Sequence, residues 1–278
     1  MAHGRAEGRL PGTGGVELFW QGWLPQTDPR AVVLLCHGLG EHSGRYGHVV
    51  DALVPGGWAV YGLDHRGHGR SGGRRVHLRR YADWLADFDG FRRVVTARHP
   101  GLPVFLLGHS MGGQIALAYA LDHEGDLAGL VLSAPALANN TVPKAAVGVL
   151  RAVGKIVPTL RPAGIDASKI SKDPRVYADY EADPLVHHGR PTLGLSTAIV
   201  GQFEVLPERA RDLRLPVLVQ HGTDDAIVDP LGLRRLAATC GSEDLTVRWY
   251  DGLWHEIYNE PERELPLRDL RDWLAAHA

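Results

Sequence analysis

A chain of 278 residues with 44% hydrophobic and 22% charged side chains can bury a sizeable core, as one large α/β domain or two ordinary ones. Lys and Arg number 30 against 32 Asp and Glu, a formal charge of −2 that offers no field for nucleic acid, and two cysteines exclude a disulfide scaffold and a thiolate zinc site. Residues 1–15 are polar and glycine-rich without the apolar core of a signal peptide, and no apolar run approaches the ~20 residues of a membrane span, so a soluble cytoplasmic protein is expected.

In chain order, Val16–Trp20 and Gly22–Leu24 read as an antiparallel hairpin. Ala31–Cys36 is a continuous apolar, β-branched run, the pattern of a parallel strand covered on both faces. A helix-period segment (Tyr46–Val54) and a second such strand (Trp58–Leu63) follow. Gly67, Gly69 and Gly72 then fit the dinucleotide fingerprint, but Arg74, Arg75, His77, Arg79 and Arg80 stand where that fold needs an apolar helix. The segment reads instead as a buried polar loop supporting the site, and the arginines as a solvated loop. Helix Tyr81–Arg98, strand Val104–Leu107, helix Gly112–His123 and strand Leu130–Leu132 continue the alternation. Strands then vanish from Leu137 to Asp212, a stretch too long for a plain loop, and 137–212 is expected to be an inserted helical cap. Strand Val217–Val219, helix Pro230–Thr239, strand Leu245–Tyr250 and helix Glu262–Ala276 complete a core of 1–136 and 213–278. The alternation predicts an α/β fold with a doubly wound, mostly parallel sheet.

The chemistry concentrates at strand ends. Gly108-His109-Ser110-Met111-Gly112 follows a strand and opens an apolar helix, the setting of a nucleophile elbow in which Ser110 is lifted above the sheet edge. A serine hydroxyl needs a base and an acid to orient it, in the order Ser, Asp or Glu, His. Asp225, three residues after Gly222, is chosen as the acid; Asp224 is expected to turn away, and Asp229 is a weaker competitor suited to capping the next helix. His255, in the loop after the last strand, is the expected base. Two backbone N–H groups, of Met111 after the nucleophile and Leu39 in His37-Gly38-Leu39-Gly40, are expected to form the oxyanion hole.

Three stretches together, His37–Tyr46, Asp64–Ser71 and Gly108–Gly113, resemble the monoacylglycerol lipases of the α/β-hydrolase fold, with similarity running from about Gly14 to Leu274. The elbow is shared by all serine α/β-hydrolases, whereas Gly40-Glu41-His42-Ser43-Gly44-Arg45-Tyr46 is particular to this lipase family. The resemblance implies that Ser110, Asp225 and His255 form the catalytic triad and that Arg45 lies near the alcohol-binding end. It also sets Tyr258 where some members carry a histidine.

The expected activity is hydrolysis of a monoacylglycerol to glycerol and fatty acid through an acyl-enzyme. The alternatives are a broader carboxylesterase or lysophospholipase, or a non-catalytic ligand-binding protein on the same scaffold. No cofactor and no metal are expected, because neither His65 with His68 nor His187 with His188 has two further ligands at metal spacing. Cys36 reads as a small buried hydrophobe. Val142, Ala146, Val149, Leu150, Val153, Ile156, Val157 and Leu160 recur at helical spacing, with Lys144, Arg151 and Lys155 on their flank. That stripe predicts transient contact of the cap with a membrane or micelle surface, giving peripheral membrane association.

Overall fold

The computed structural model describes residues 3–138, 148, 152–154, 156–161, 164 and 166–278. Its centre is a sheet whose strands among these residues are β1 (Gly4–Pro11), β2 (Glu17–Leu24), β3 (Ala31–Cys36), β4 (Trp58–Leu63), β5 (Val104–His109), β6 (Gly129–Ser133), β7 (Val217–Gly222) and β8 (Leu245–Tyr250). They lie in the order β1-β2-β4-β3-β5-β6-β7-β8; β2 runs antiparallel to both its neighbours, β1 and β4, and the other pairs are parallel. This is the α/β-hydrolase fold.

The apolar runs are continuous because each strand feeds two cores. Val32, Leu34 and Cys36 point to one face, beside Leu106, Leu132 and Val219, where α2 (Tyr81–Thr96) and α3 (Met111–Asp122) bury Trp84, Phe88, Phe91 and Ile115. Val33 and Leu35 point to the other, beside Leu107, Val131 and Leu218, under α1 (Gly47–Leu53) and the C-terminal helix Glu264–Ala276 with Leu270 and Trp273. Full burial of each such side chain contributes roughly 1.5–3 kcal/mol.

The beginning of the chain differs from its sequence reading. Val16–Trp20 and Gly22–Leu24 are not two strands; both belong to β2, and the true hairpin pairs β2 with β1, from Gly4 opposite Leu24 to Pro11 opposite Glu17. Gly22 imitates a turn, but a Cβ there would collide with the Tyr61 ring of β4, so the glycine permits close strand packing rather than a bend. β1 is an edge strand whose Arg5, Glu7 and Arg9 are exposed, which gives residues 1–15 their polar composition.

Chain order reverses at β3, which pairs with β4 on one side and β5 on the other. The loops leaving β3 and β5 therefore meet at the carboxyl edge of the sheet, where open α/β sheets place their ligands. Between β6 and β7 the chain leaves the sheet, and the described residues there include α4 (Pro174–Ala182), α5 (Leu193–Val200) and α6 (Val205–Arg209). This excursion is tied down around the sheet edge. His187 N–H donates to Gly40 O at 2.7 Å, Glu256 N–H to Ile170 O at 2.8 Å, and His42 Nε2 to Asp183 Oδ2 at 2.8 Å. Val142, Lys144, Ala146, Val149, Leu150, Arg151 and Lys155 of the apolar stripe lie outside the described residues. Its other members are exposed: Val153 at 36%, Ile156 at 81%, Val157 at 42% and Leu160 at 54%. Helix α7 (Leu231–Thr239) returns the chain to the core, with Leu231 N–H donating to Asp229 Oδ1 at 2.9 Å, the capping role anticipated for that aspartate.

Among the described residues no helix is long and apolar enough to cross a membrane.

Candidate active site

The turn from β5 into α3 holds Ser110 at φ 55 and ψ −120, a conformation costing about 1–3 kcal/mol in a residue with a Cβ. Neighbouring backbone over-determines it. Ser110 N–H donates to Ser133 O at 3.0 Å and Ser110 O accepts from Ala136 N–H at 3.0 Å. Gly112 is required by contact rather than by its own dihedrals: a methyl there would run into the carbonyls of Cys36 and His37 at the end of β3. The elbow and the β3 loop are thereby brought into contact.

Ser110, His255 and Asp225, 145 and 30 positions apart in sequence, form one relay. His255 Nε2 lies 2.9 Å from Ser110 Oγ, and His255 Nδ1 lies 2.7 Å from Asp225 Oδ2. Asp225 Oδ1 accepts two backbone N–H groups, from Ile227 at 2.8 Å and Val228 at 3.0 Å. An ionised carboxylate can accept but not donate, so Nδ1 carries the histidine proton and Nε2 presents its lone pair to the serine. Burial opposes the charge on Asp225, yet His255 and the donors around it hold the carboxyl well below the usual range. Burial likewise pulls His255 down, but the Asp225 carboxylate outweighs it and raises the imidazole above its ordinary 6.5. Asp224 is exposed, turned away as expected, and Asp229 is occupied at its helix cap.

The β3 loop is braced from beneath and from the side. His37 Nε2 accepts from His65 N–H at 2.9 Å, which fixes its proton on Nδ1, where it donates to Gly38 O at 2.8 Å. Gly38 N–H donates to Glu41 Oε1 at 2.5 Å, and the next residue, Leu39, lines the same cavity as Ser110. The glycine-rich loop after β4 supplies part of this support. Asp64 accepts from Ser43 N–H at 2.9 Å, Ser43 Oγ at 2.6 Å and Arg70 N–H at 2.8 Å. Gly69 packs against that buried carboxylate, in keeping with the polar-loop reading.

A cavity of about 510 Å³ opens over the serine. One end is charged: Arg45 bonds Glu256 through both nitrogens, at 2.7 and 2.9 Å, and Glu41 at 2.9 Å, while its guanidinium lies 4.8 Å from the Tyr180 ring centre. Burial disfavours these charges individually, but the pairing prevails, raising the arginine above its ordinary value and pulling Glu41 down to about 2. Leu39, Ile170 and Ile227 give the cavity apolar wall. Arg45, which the resemblance sets near an alcohol-binding end, lines this cavity together with Glu41, Glu256 and Tyr180. Glu41 stands inside the quoted motif and Glu256 directly after the expected base, so both were marked by position. Tyr258 is turned away from this cavity's lining, its hydroxyl donating to Gln220 Oε1. His109 packs 4.7 Å from the His255 ring, and burial beside that imidazole lowers it to about 4, so it stays neutral.

Comparison with known proteins gives the chain's relatives. A family model described as "Serine aminopeptidase, S33" matches residues 27–262. A monoacylglycerol lipase of Mycolicibacterium smegmatis is 44% identical over 274 residues, 98% of each chain. The monoglyceride lipase of Homo sapiens is 32% identical over 248 residues, covering 88% of this chain and 82% of the human one. The crystal structure of the Paleococcus ferrophilus monoacylglycerol lipase superposes over 100% of both chains with a TM-score of 0.84 at 33% identity.

Proposed function

The chain belongs to the monoacylglycerol lipase family of serine α/β-hydrolases and is a carboxylic ester hydrolase, and on that premise we propose that it hydrolyses monoacylglycerol with Ser110 as nucleophile. The observation that carries the reading is the Ser110–His255–Asp225 relay opening into a cavity with a charged, hydrogen-bonding end. Ser110 Oγ attacks the ester carbonyl as its proton passes to His255 Nε2. The N–H groups of Leu39 and Met111 hold the carbonyl oxygen as it becomes an oxyanion. His255 then protonates the departing glycerol oxygen, leaving the acyl group on Ser110. A water, deprotonated by the same nitrogen, attacks that ester; Ser110 takes the proton back and the fatty acid leaves. Free lone pairs on Glu41 and Glu256 and the Tyr180 hydroxyl receive the glycerol hydroxyls, with Arg45 holding both carboxylates in place. Residues 137–212 serve as the cap over this site.

A panel of mono-, di- and triacylglycerols, lysophospholipids and short p-nitrophenyl esters tests the substrate. Monoacylglycerol should have the highest kcat/KM among lipids; a lysophospholipid or diacylglycerol ahead of it would overturn the reading. Labelling by a fluorophosphonate should fall on Ser110 alone.

The pH dependence follows from the raised His255. The imidazole must be neutral to take the serine proton, and its pKa lies above 6.5 in the folded protein. Loss of kcat/KM on acidification should therefore have its midpoint above pH 6.5, measured on a soluble ester between about pH 5 and 9. A midpoint below 6 would contradict the base assignment.

The cap also meets lipid. Val153, Ile156, Val157 and Leu160 put four apolar side chains into water on one segment, and Arg74 and Arg79 are exposed in the core loop packed beside it. Residues 192 and 193 link the two: Thr192 N–H donates to Val76 O, and Leu193 N–H to Leu160 O. Apolar side chains flanked by arginines suit the interface of a lipid bilayer. Replacing Ile156 and Val157 together by aspartate should reduce vesicle co-sedimentation and long-chain turnover about tenfold or more while sparing short esters. Unchanged vesicle binding by the folded variant would refute this contact.

A further inference from the structure

His221, next to last in β7, has no place in the relay described so far. It is 0% exposed, and the Trp249 ring of β8, its partner in the sheet register, lies 5.5 Å away at 34°. Neither ring nitrogen has a well-aligned hydrogen bond among the described residues, a costly condition for a buried imidazole. Nε2 lies 3.1 Å from Asp225 Oδ2, within reach but too bent for a good hydrogen bond. That is the same oxygen that receives the His255 proton at 2.7 Å.

We propose that His221 is a positioning residue for the acid of the relay, acting as a second N–H donor to Asp225 Oδ2. The tautomer follows from electrostatics. A lone pair on Nε2 would lie beside a carboxylate lone pair at 3.1 Å, so the proton sits on Nε2, on the side of Asp225. Asp225 is then held on both sides: Ile227 and Val228 N–H fix Oδ1, while His221 and His255 share Oδ2. Sharing has a chemical consequence. Charge drawn toward His221 is withdrawn from His255, so the aspartate orients the catalytic imidazole without raising its basicity as far as an undivided carboxylate would. The groups facing His255 are Asp225 from the loop after β7, Glu256 from its own loop, Glu41 from the loop after β3, and His109 from the elbow; His221 reaches it only through Asp225. Arg45 pairs with both glutamates. Only His221 is altered in the test.

The experiment compares His221→Leu, His221→Asn and His221→Gln on a short p-nitrophenyl ester, with active sites counted by fluorophosphonate labelling. Leucine removes the donor. Asparagine is too short, whereas the glutamine amide nitrogen is as many bonds from the backbone as Nε2. In the leucine and asparagine variants the acid limb of kcat/KM should move up by roughly half to one pH unit. On that limb this lowers kcat/KM about 3- to 10-fold, with KM little changed. Glutamine should return the limb to the wild-type position. A residue that merely fills space would lower kcat equally at every pH and leave the limb where it was. Coincident limbs in leucine, asparagine and wild type would overturn the proposal, as would failure of glutamine to restore the shift. If leucine leaves no folded protein, the asparagine and glutamine variants, which differ by one methylene, carry the same comparison. Because any soluble ester serves, the result is separate from whether monoacylglycerol is the preferred lipid.

Discussion

Ser110→Ala should lower kcat on a soluble ester by about 10⁶, with melting temperature nearly unchanged. Both halves of this expectation come from the elbow. The hydrogen bonds that set the strained turn are made by the Ser110 backbone, to Ser133 O, from Ala136 N–H and from Gln114 N–H, and alanine retains all three. The side-chain oxygen bonds His255 Nε2, which is left facing the cavity. The φ of 55 strains alanine much as it strains serine, since both carry a Cβ. What is lost is the nucleophile alone. The Leu39 and Met111 N–H groups would still polarise a bound carbonyl, so turnover should stop about 10³-fold above the uncatalysed rate rather than at zero. Steady-state kinetics and thermal unfolding of the purified variant check both halves. More than a hundredth of wild-type turnover in a folded variant would place the nucleophile elsewhere.

Central strands and the relay are legible in the sequence for one reason each. Strands such as β3 and β5 are covered on both faces, so their side chains are apolar up to the glycine and histidine at or just past their ends, and the runs stand out. The triad is legible because Ser110, Asp225 and His255 each sit just past a strand, where an α/β sheet presents side chains. β1 lacks this signal: exposed Arg5, Glu7 and Arg9 alternate with Ala6, Gly8 and Leu10, and eight residues of edge strand pass for a polar tail. The Arg45–Glu256 pair joins residues 211 positions apart, and no local spacing foretells it. His221 looks like any other residue of a buried strand until Asp225 folds back beside it. Local patterning marks positions along an element; contacts between loops arise only once the sheet has set the order of its strands.

Asp225→Asn should cost about 10⁴ in kcat, more than the loss of one negative charge would suggest. The reason is the pair of backbone donors at Oδ1. Ile227 and Val228 N–H both require an oxygen there, so the asparagine must place its carbonyl at Oδ1 and its NH₂ at Oδ2. That amide then donates toward His255 Nδ1, which can accept only by giving up its own proton. The neutral imidazole shifts its proton to Nε2, where it faces Ser110 Oγ as a donor and can no longer serve as base. Geometry is preserved while the tautomer is reversed. His221, whose Nε2 proton faces the same position, opposes the NH₂ there and adds to the destabilisation. Turnover of Asp225→Asn should recover in part as pH rises, because hydroxide can replace the missing base in both acylation and deacylation. A pH profile that climbs through alkaline pH, against a wild-type plateau, is the expected result. If the variant keeps more than a tenth of wild-type kcat at neutral pH, Asp225 does not hold the histidine tautomer.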